Sequence, residues 1–375
     1  AFDLRQGPLF TTQLLKLDAK EHLLALKAHH TVFDGWSFGV LLHELSALYN
    51  AAYGGLALTL PPALPFRSFA QTQLDHRASA AMQQHAAYWQ AQFATLPPLL
   101  DLPTERPRPA QPTYAAARQS LTLAPNLLTA LKGVSRTQRA TLFMTLFAAY
   151  TTLLHRLTGQ ADFVVGTPVS GRFTEESEGM IGYGTHLLPI RATIDAATTF
   201  ADHLTTTRRR ILDSFEHEAY PFAWLIEDLH SQGQGRATGL IRTTFNMDQP
   251  LDLPTWRSME ATVEWQPRQA APFELVFNAI EIDGALRLDC DYNTDLFAHA
   301  TITRWLSHFQ TLLESVVADA AQPLATLSLL TAAERQQLLT LWQTNEALPP
   351  LTPESNVCLH EWFAAQATQT PAAIA

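Results

Sequence analysis

The sequence predicts an α/β (α+β) fold, and three observations carry that expectation. Segments alternating apolar and polar residues at period two recur along the chain, with amphipathic segments of helical period between them. The 375 residues suffice for two lobes with sizeable cores. Only 16% of residues are charged and 47% are hydrophobic, whereas average soluble chains carry about 25% charged residues. A well-buried globular protein follows.

Phe10–Leu17 and Glu21–Ala28 read as two strands, the second placing Leu24, Leu26 and Ala28 on one face toward the core, with His30 continuing it. A helix from Ser37 to Tyr53 follows from Phe38, Leu41, Leu42, Leu45, Leu48 and Tyr49, and Gly54-Gly55 stops it. A proline loop precedes a long helix expected over Phe66–Phe93. Pro97, Pro98, Pro103, Pro107, Pro109 and Pro112 then form a connection that cannot be helical. Residues 114–123 read as a strand, 125–136 as a helix, and Thr141–Leu157 as a strongly apolar helix closed by Gly159. Asp162–Val169 is a buried strand ending in a turn. Phe200–Glu218 is a helix, and Tyr220-Pro221-Phe222 opens a short one. Ile241–Met247, Phe273–Ile282 and Leu286–Asn293 alternate as strands. A helix opened by Thr301 carries Trp305, Phe309 and Leu312 on one face, and Thr331 with Glu334 forms a capping box for a last helix to Trp342. Residues 343–357 have no periodicity and read as a linker.

Chemistry concentrates in His29-His30-Thr31-Val32-Phe33-Asp34-Gly35-Trp36-Ser37, between a strand and a helix. His and Asp are metal ligands, but adjacent strand residues point to opposite faces, so His29 and His30 are poorly placed to share an ion. A single imidazole base, His30, is the better reading. Asp34 either has a structural task, capping the following helix or pairing with an arginine, or acts on a substrate, and Gly35 is expected to supply a backbone shape that a Cβ would forbid. The bland alternative is that both histidines pack and hydrogen-bond in a core.

The net charge of −10 argues against a nucleic-acid groove, and Arg208-Arg209-Arg210 reads as a solvated helix face. Cys290 and Cys358 give neither a disulfide framework nor a zinc spacing, which fits a reducing, cytoplasmic setting. Leu142–Leu154 is too short to span a bilayer. The chain opens on Ala1 without a visible signal peptide, so it reads as an excerpt of a longer polypeptide.

His29-His30-x-x-x-Asp34-Gly35, followed by Trp36-Ser37, resembles the HHxxxDG signature of nonribosomal peptide synthetase condensation domains. Phe2-Asp3-Leu4 with Gly7-Pro8-Leu9 resembles the family's FDL…GPL segment, with Thr11 and Thr12 where an arginine is usual. Val165-Gly166-Thr167-Pro168-Val169 with Gly171-Arg172 resembles VGTPVxGR. Ile181–Arg191 partly resembles IGxxxNTLPLR, with His186 and Leu187 replacing the usual asparagine and threonine. Leu359-His360-Glu361-Trp362-Phe363 and Gln369–Ala372 resemble the opening of an adenylation domain.

This resemblance implies a chloramphenicol-acetyltransferase-like fold of two lobes in a V, with the first lobe incomplete and exposed edges where its strands would pair. It implies the rest of the N-terminal lobe at 1–110, the C-terminal lobe at 111–342, a linker at 343–357 and an adenylation start at 358–375. The implied function is acyl transfer, with or without a polyketide synthase in the same assembly. The amine of one carrier-bound aminoacyl group attacks the acyl or peptidyl thioester on another. The partners are upstream and downstream peptidyl carrier domains and the adjacent adenylation domain, not nucleic acid or membrane. No cofactor or metal is bound directly; 4′-phosphopantetheine arrives on the carriers.

In that picture His30 is catalytic, as general base or as anchor for the amine. His29, Asp34 and Gly35 complete the motif. Asp34 holds the loop through an arginine, for which Arg191 is the candidate, and the Gly35 N–H faces the oxyanion. Trp36, Ser37, His186 and Arg191 support the loop or tunnel, His186 as a hydrogen-bonding substitute. Alternatives are an epimerization domain, an acyl-CoA acyltransferase or a non-catalytic carrier-docking module. A heterocyclization domain would carry aspartates where His29 and His30 stand. The isolated chain is expected to be inactive.

Overall fold

The computed structural model describes residues 2–111, 113–266, 269–343 and 359–369. Pro112, Cys358, most of the expected linker and Thr370–Ala372 of the expected adenylation start lie outside the described residues. The chain divides into two compact units, Ala1–Leu329 and Leu330–Ala375.

The first unit opens with an antiparallel ribbon, β1 (Phe10–Lys16) and β2 (His22–Ala28), in which Phe10 faces Ala28. Leu26 and Ala28 are half-buried, but Leu24 is 41% and Leu14 67% exposed. The expected core face therefore holds only at the end of β2. Two strands alone leave most of both faces to water. α1 (Gly35–Tyr53) follows, N-capped by Asp34, whose side chain accepts from the Ser37 N–H. The single helix expected over 66–93 is two, α2 (Phe66–His76) and α3 (Ala80–Gln92). Ser79 lies between them with extended backbone and caps α3 by accepting from the Met82 N–H, which starts a new helix where the periodicity ran on.

Beyond the proline connection lies a six-stranded mixed sheet. It is built from β3 (Ala116–Leu123), β4 (Asp162–Val169), β5 (His186–Thr193), β6 (Thr243–Asp248), β7 (Leu275–Ile282) and β8 (Ala285–Asn293). The strand order is β3-β8-β7-β6-β4-β5, with β6 parallel to both β4 and β7. The helices are α4 (Pro125–Thr137), α5 (Leu142–Thr158), α6 (Glu175–Glu178), α7 (Phe200–Glu216), α8 (Phe222–Ser231) and α9 (His299–Ala318). α5 starts at the Thr141 cap and stops at Gly159, whose φ of 72° favours a residue without Cβ. Its Phe147 and Tyr150, with Phe309 of α9, pack on Phe245 of β6 and Phe277 of β7. These buried rings form the centre of the core.

The second unit holds α10 (Ala332–Gln343) and α11 (Leu359–Gln369). The expected capping box is present: the Thr331 N–H donates to Glu334 Oε2, and the Glu334 N–H to Thr331 Oγ1. Among the described residues, no helix is long and apolar enough to cross a membrane.

Candidate active site

β2 ends at Ala28, and His29–Phe33 form the turn into α1. Both histidines lie past the end of the strand, and their rings have different neighbours. His29 meets Phe2 edge-on at 5.6 Å, and its Nδ1 lies 2.8 Å from Thr31 Oγ1. His30 is exposed and meets the Tyr183 ring edge-on at 5.0 Å. His30 Nδ1 lies 2.8 Å from the Phe33 carbonyl oxygen, an acceptor only. That bond puts the neutral ring's proton on Nδ1 and leaves the Nε2 lone pair free to accept.

Asp34 is buried and does two structural tasks. Its Oδ1 accepts from the Ser37 N–H at 2.9 Å and from Arg172 Nη2 at 3.0 Å. Its Oδ2 accepts from Arg172 Nη1 at 2.8 Å, the Gly184 N–H at 3.0 Å and the Thr185 N–H at 3.2 Å. Burial by itself pushes this carboxyl up. The hydrogen bonds of Arg172 and Ser37, with the Arg172 charge, outweigh it and hold the carboxyl at about 2. Its oxygens are taken up by the protein, so Asp34 serves as a staple rather than a proton acceptor.

The expected arginine partner was Arg191, and the structure corrects this to Arg172. Arg191 Nη2 instead lies 2.6 Å from Asp162 Oδ2, and its Nη1 donates to the Gln92 and Thr95 carbonyls. Strand parity explains the difference: Ile190 and Ala192 fill the buried face of β5, so Arg191 projects from the other, beside the start of β4. Arg172 stood in the sequence just past the end of a buried strand, and that isolated charge was the available signal.

Gly35 also departs from expectation. Its φ is not left-handed, and a Cβ there would meet nothing within 4 Å. The backbone does not require glycine; its bareness leaves open space beside the first amide of α1, which has no acceptor within the helix. Trp36 Nε1 donates to the Glu178 carbonyl at 2.7 Å, tying α1 to α6. Ser37 is fully buried, with its Oγ 2.7 Å from Asp34 Oδ1 and 2.9 Å from the Gly182 carbonyl oxygen. His186 Nε2 donates to the Glu218 carbonyl, and burial lowers the imidazole's affinity for a second proton. These contacts tie Trp36 and Ser37 to Glu178 and Gly182, and His186 to Glu218. Sequence reasoning passed over Tyr183, Gly184 and Thr185, which carry no motif letter.

The chain is similar to known proteins. The family model described as "Condensation domain" matches residues 1–339. One polypeptide of the linear gramicidin synthase of Brevibacillus parabrevis is 36% identical over 374 residues, covering 99% of this chain and 5% of that protein. Surfactin synthase subunit 1 of Bacillus subtilis (strain 168) is 33% identical over 372 residues, covering 99% of this chain and 10% of that protein. The chain thus spans only a small part of the curated relatives it matches. The X-domain from teicoplanin biosynthesis superposes with a TM-score of 0.79 at 24% identity, covering 88% of this chain and 76% of that one. The first condensation domain of the CDA synthetase gives 0.70 at 24% identity, covering 86% and 70%. These likenesses establish the chloramphenicol-acetyltransferase-like fold.

Proposed function

The chain belongs to the condensation-domain family of nonribosomal peptide synthetases, and from that premise we propose that it joins two carrier-borne groups by an amide bond at His30. The α-amine of an acceptor aminoacyl thioester attacks the carbonyl of a donor acyl or peptidyl thioester. The C–N bond forms, the C–S bond breaks, and the donor carrier's thiol leaves. His30 Nε2 takes up, or holds by a hydrogen bond, the proton lost from the amine, which passes to the departing sulfur. A thioester is already reactive, so holding the two groups together supplies much of the acceleration. The observation that carries this reading is the Nδ1 bond to Phe33, which leaves Nε2 of this exposed residue able to accept.

The remaining roles follow from position. Open space at Gly35 admits the carbonyl oxygen toward the first amide of α1, where helix N–H groups favour developing negative charge. His29, Trp36, Ser37 and His186 hold the loop, Arg191 ties α3 to the sheet, and Asp34 staples the whole to Arg172. Substrates arrive on 4′-phosphopantetheine of upstream and downstream carrier domains, with no other cofactor, in the cytoplasm. Residues 1–110 and 111–342 form the two lobes, and 343–357 lead to an adenylation domain opening at 358. The isolated chain, whose two-stranded ribbon ahead of His30 is largely exposed on both faces, is inactive on its own.

The test is amide formation from defined carrier-bound thioesters, with the chain in its full synthetase. His30→Ala is expected to lower kcat by about 10²-fold or more. A rate equal to wild type would leave docking or proximity alone as the function.

A further inference from the structure

Tyr183 lies beside the reacting imidazole and is held there by contacts on both sides. The segment reads Gly182-Tyr183-Gly184, and both glycines sit in tight quarters. A Cβ on Gly182 would lie 2.5 Å from Phe66 Cδ2, and one on Gly184 would lie 2.7 Å from Arg172 Nη1. Each glycine therefore lets its backbone close onto a neighbour. The Gly182 N–H donates to Ser37 Oγ at 3.0 Å, and the Gly184 N–H donates to Asp34 Oδ2 at 3.0 Å. Asp34 and Ser37 stand at the head of α1, directly after the turn that carries His30. One pair of side chains thus fixes the backbone on both sides of Tyr183 and the root of the His30 turn. The Tyr183 ring, between them, meets the His30 ring edge-on at 5.0 Å and an interplanar angle of 81°. An edge-to-face pair has a preferred geometry, so a fixed tyrosine constrains the imidazole plane.

We propose that Tyr183 is a positioning residue for the condensation reaction, its ring holding the His30 imidazole so that Nε2 faces the amine. This rests on the reading of His30 given above. Two contacts define the ring: the Nδ1 bond to Phe33 sets its tautomer, and the near-perpendicular Tyr183 ring sets its plane. Without the aromatic ring, the imidazole turns about that one hydrogen bond and spends less time aimed at the substrate. Burial raises the Tyr183 phenol above its ordinary value, and the nearby Asp34 charge adds to this, so the hydroxyl stays protonated at working pH. Tyr183 is accordingly not a second base.

Tyr183→Phe, Tyr183→Leu and Tyr183→Met separate ring from hydroxyl in the full synthetase. Tyr183→Phe is expected to keep kcat within about twofold, and Tyr183→Leu and Tyr183→Met to lower it by about tenfold or more, with KM for the acceptor thioester unchanged. A second readout needs no catalysis. In histidine-labelled protein, the His30 Cε1–H resonance, assigned by its loss in His30→Gln, carries a ring-current displacement. That displacement is kept in Tyr183→Phe and lost in Tyr183→Leu. Equal damage from Tyr183→Phe and Tyr183→Leu, full kcat in Tyr183→Leu, an effect on KM alone, or a His30 resonance indifferent to Tyr183→Leu would each overturn the proposal. If His30→Ala retains the wild-type rate, the functional reading fails by itself, while the resonance still decides whether the Tyr183 ring lies against His30.

Discussion

Arg172 and Asp34 form a doubly hydrogen-bonded ion pair, Nη1 to Oδ2 at 2.8 Å and Nη2 to Oδ1 at 3.0 Å, with both side chains fully buried. It joins the head of α1 to the loop after β4, two segments 138 residues apart in sequence. Its geometry is bidentate, the arrangement a guanidinium makes best. The remaining donors to the carboxylate come from Ser37, Gly184 and Thr185, so its charge is neutralised where water cannot reach.

Breaking the pair on one side leaves a bare charge in that place. Asp34→Ala is expected to destabilise the fold by about 3–5 kcal/mol. Asp34→Ala combined with Arg172→Met should recover part of that loss, because no unpaired charge remains. Urea unfolding of the two single variants and the double variant measures this; additive effects would contradict the pairing.

Acid acts in two windows. His203 is buried beside Thr151, and burial lowers its pKa from 6.5 to about 4. The unfolded chain takes up this proton first, so stability that is full above about pH 6.5 falls as pH drops toward 4, by roughly 3 kcal/mol. Asp34 adds roughly 2 kcal/mol that is present above about pH 3.8 and lost as pH falls through 2. Chemical denaturation between pH 7 and 4 should show the first loss, and His203→Gln should flatten it.

Arg191 and Arg172 should part company in assays. Arg191→Ala removes the bonds to Asp162, Gln92 and Thr95 and is expected to cost about 1–3 kcal/mol. The rate at His30 should hold, since none of those partners touches the motif. Arg172→Ala should lower both melting temperature and kcat. Equal loss of kcat in the two variants would restore Arg191 to the site.

Two glycines make a matched contrast. Gly171 has φ of 64°, and a Cβ there would run into the Gly184 carbonyl, so Gly171→Ala should destabilise by more than about 1 kcal/mol. Gly35 has open space and an ordinary φ at the first turn of α1. Gly35→Ala should leave stability unchanged or raise it by up to about 1 kcal/mol, yet lower kcat by crowding the α1 amide. A Gly35→Ala protein with full activity would remove that amide from the oxyanion's surroundings.

The sequence alone determined most of the elements and the motif, though not β5 or α6. Local signals sufficed for β4, α5 with its Thr141 and Gly159 stops, the α10 capping box, and the strand–turn–helix around His30, because each depends on periodicity and caps within a few residues. Single-residue competition escaped it, as where Ser79 opened α3 inside a continuous helical pattern. Tertiary structure decided the rest. Choosing Arg172 over Arg191 for Asp34 depends on which face of which strand approaches α1, and register across β4 and β5 sets that. Leu24 looked buried by alternation, but burial requires a partner surface, and a two-stranded ribbon offers none there. Setting Tyr183 against His30 needed two segments distant in sequence to share the hydrogen bonds of Asp34 and Ser37. Such long-range pairing is fixed by packing the whole sheet, which no local pattern encodes.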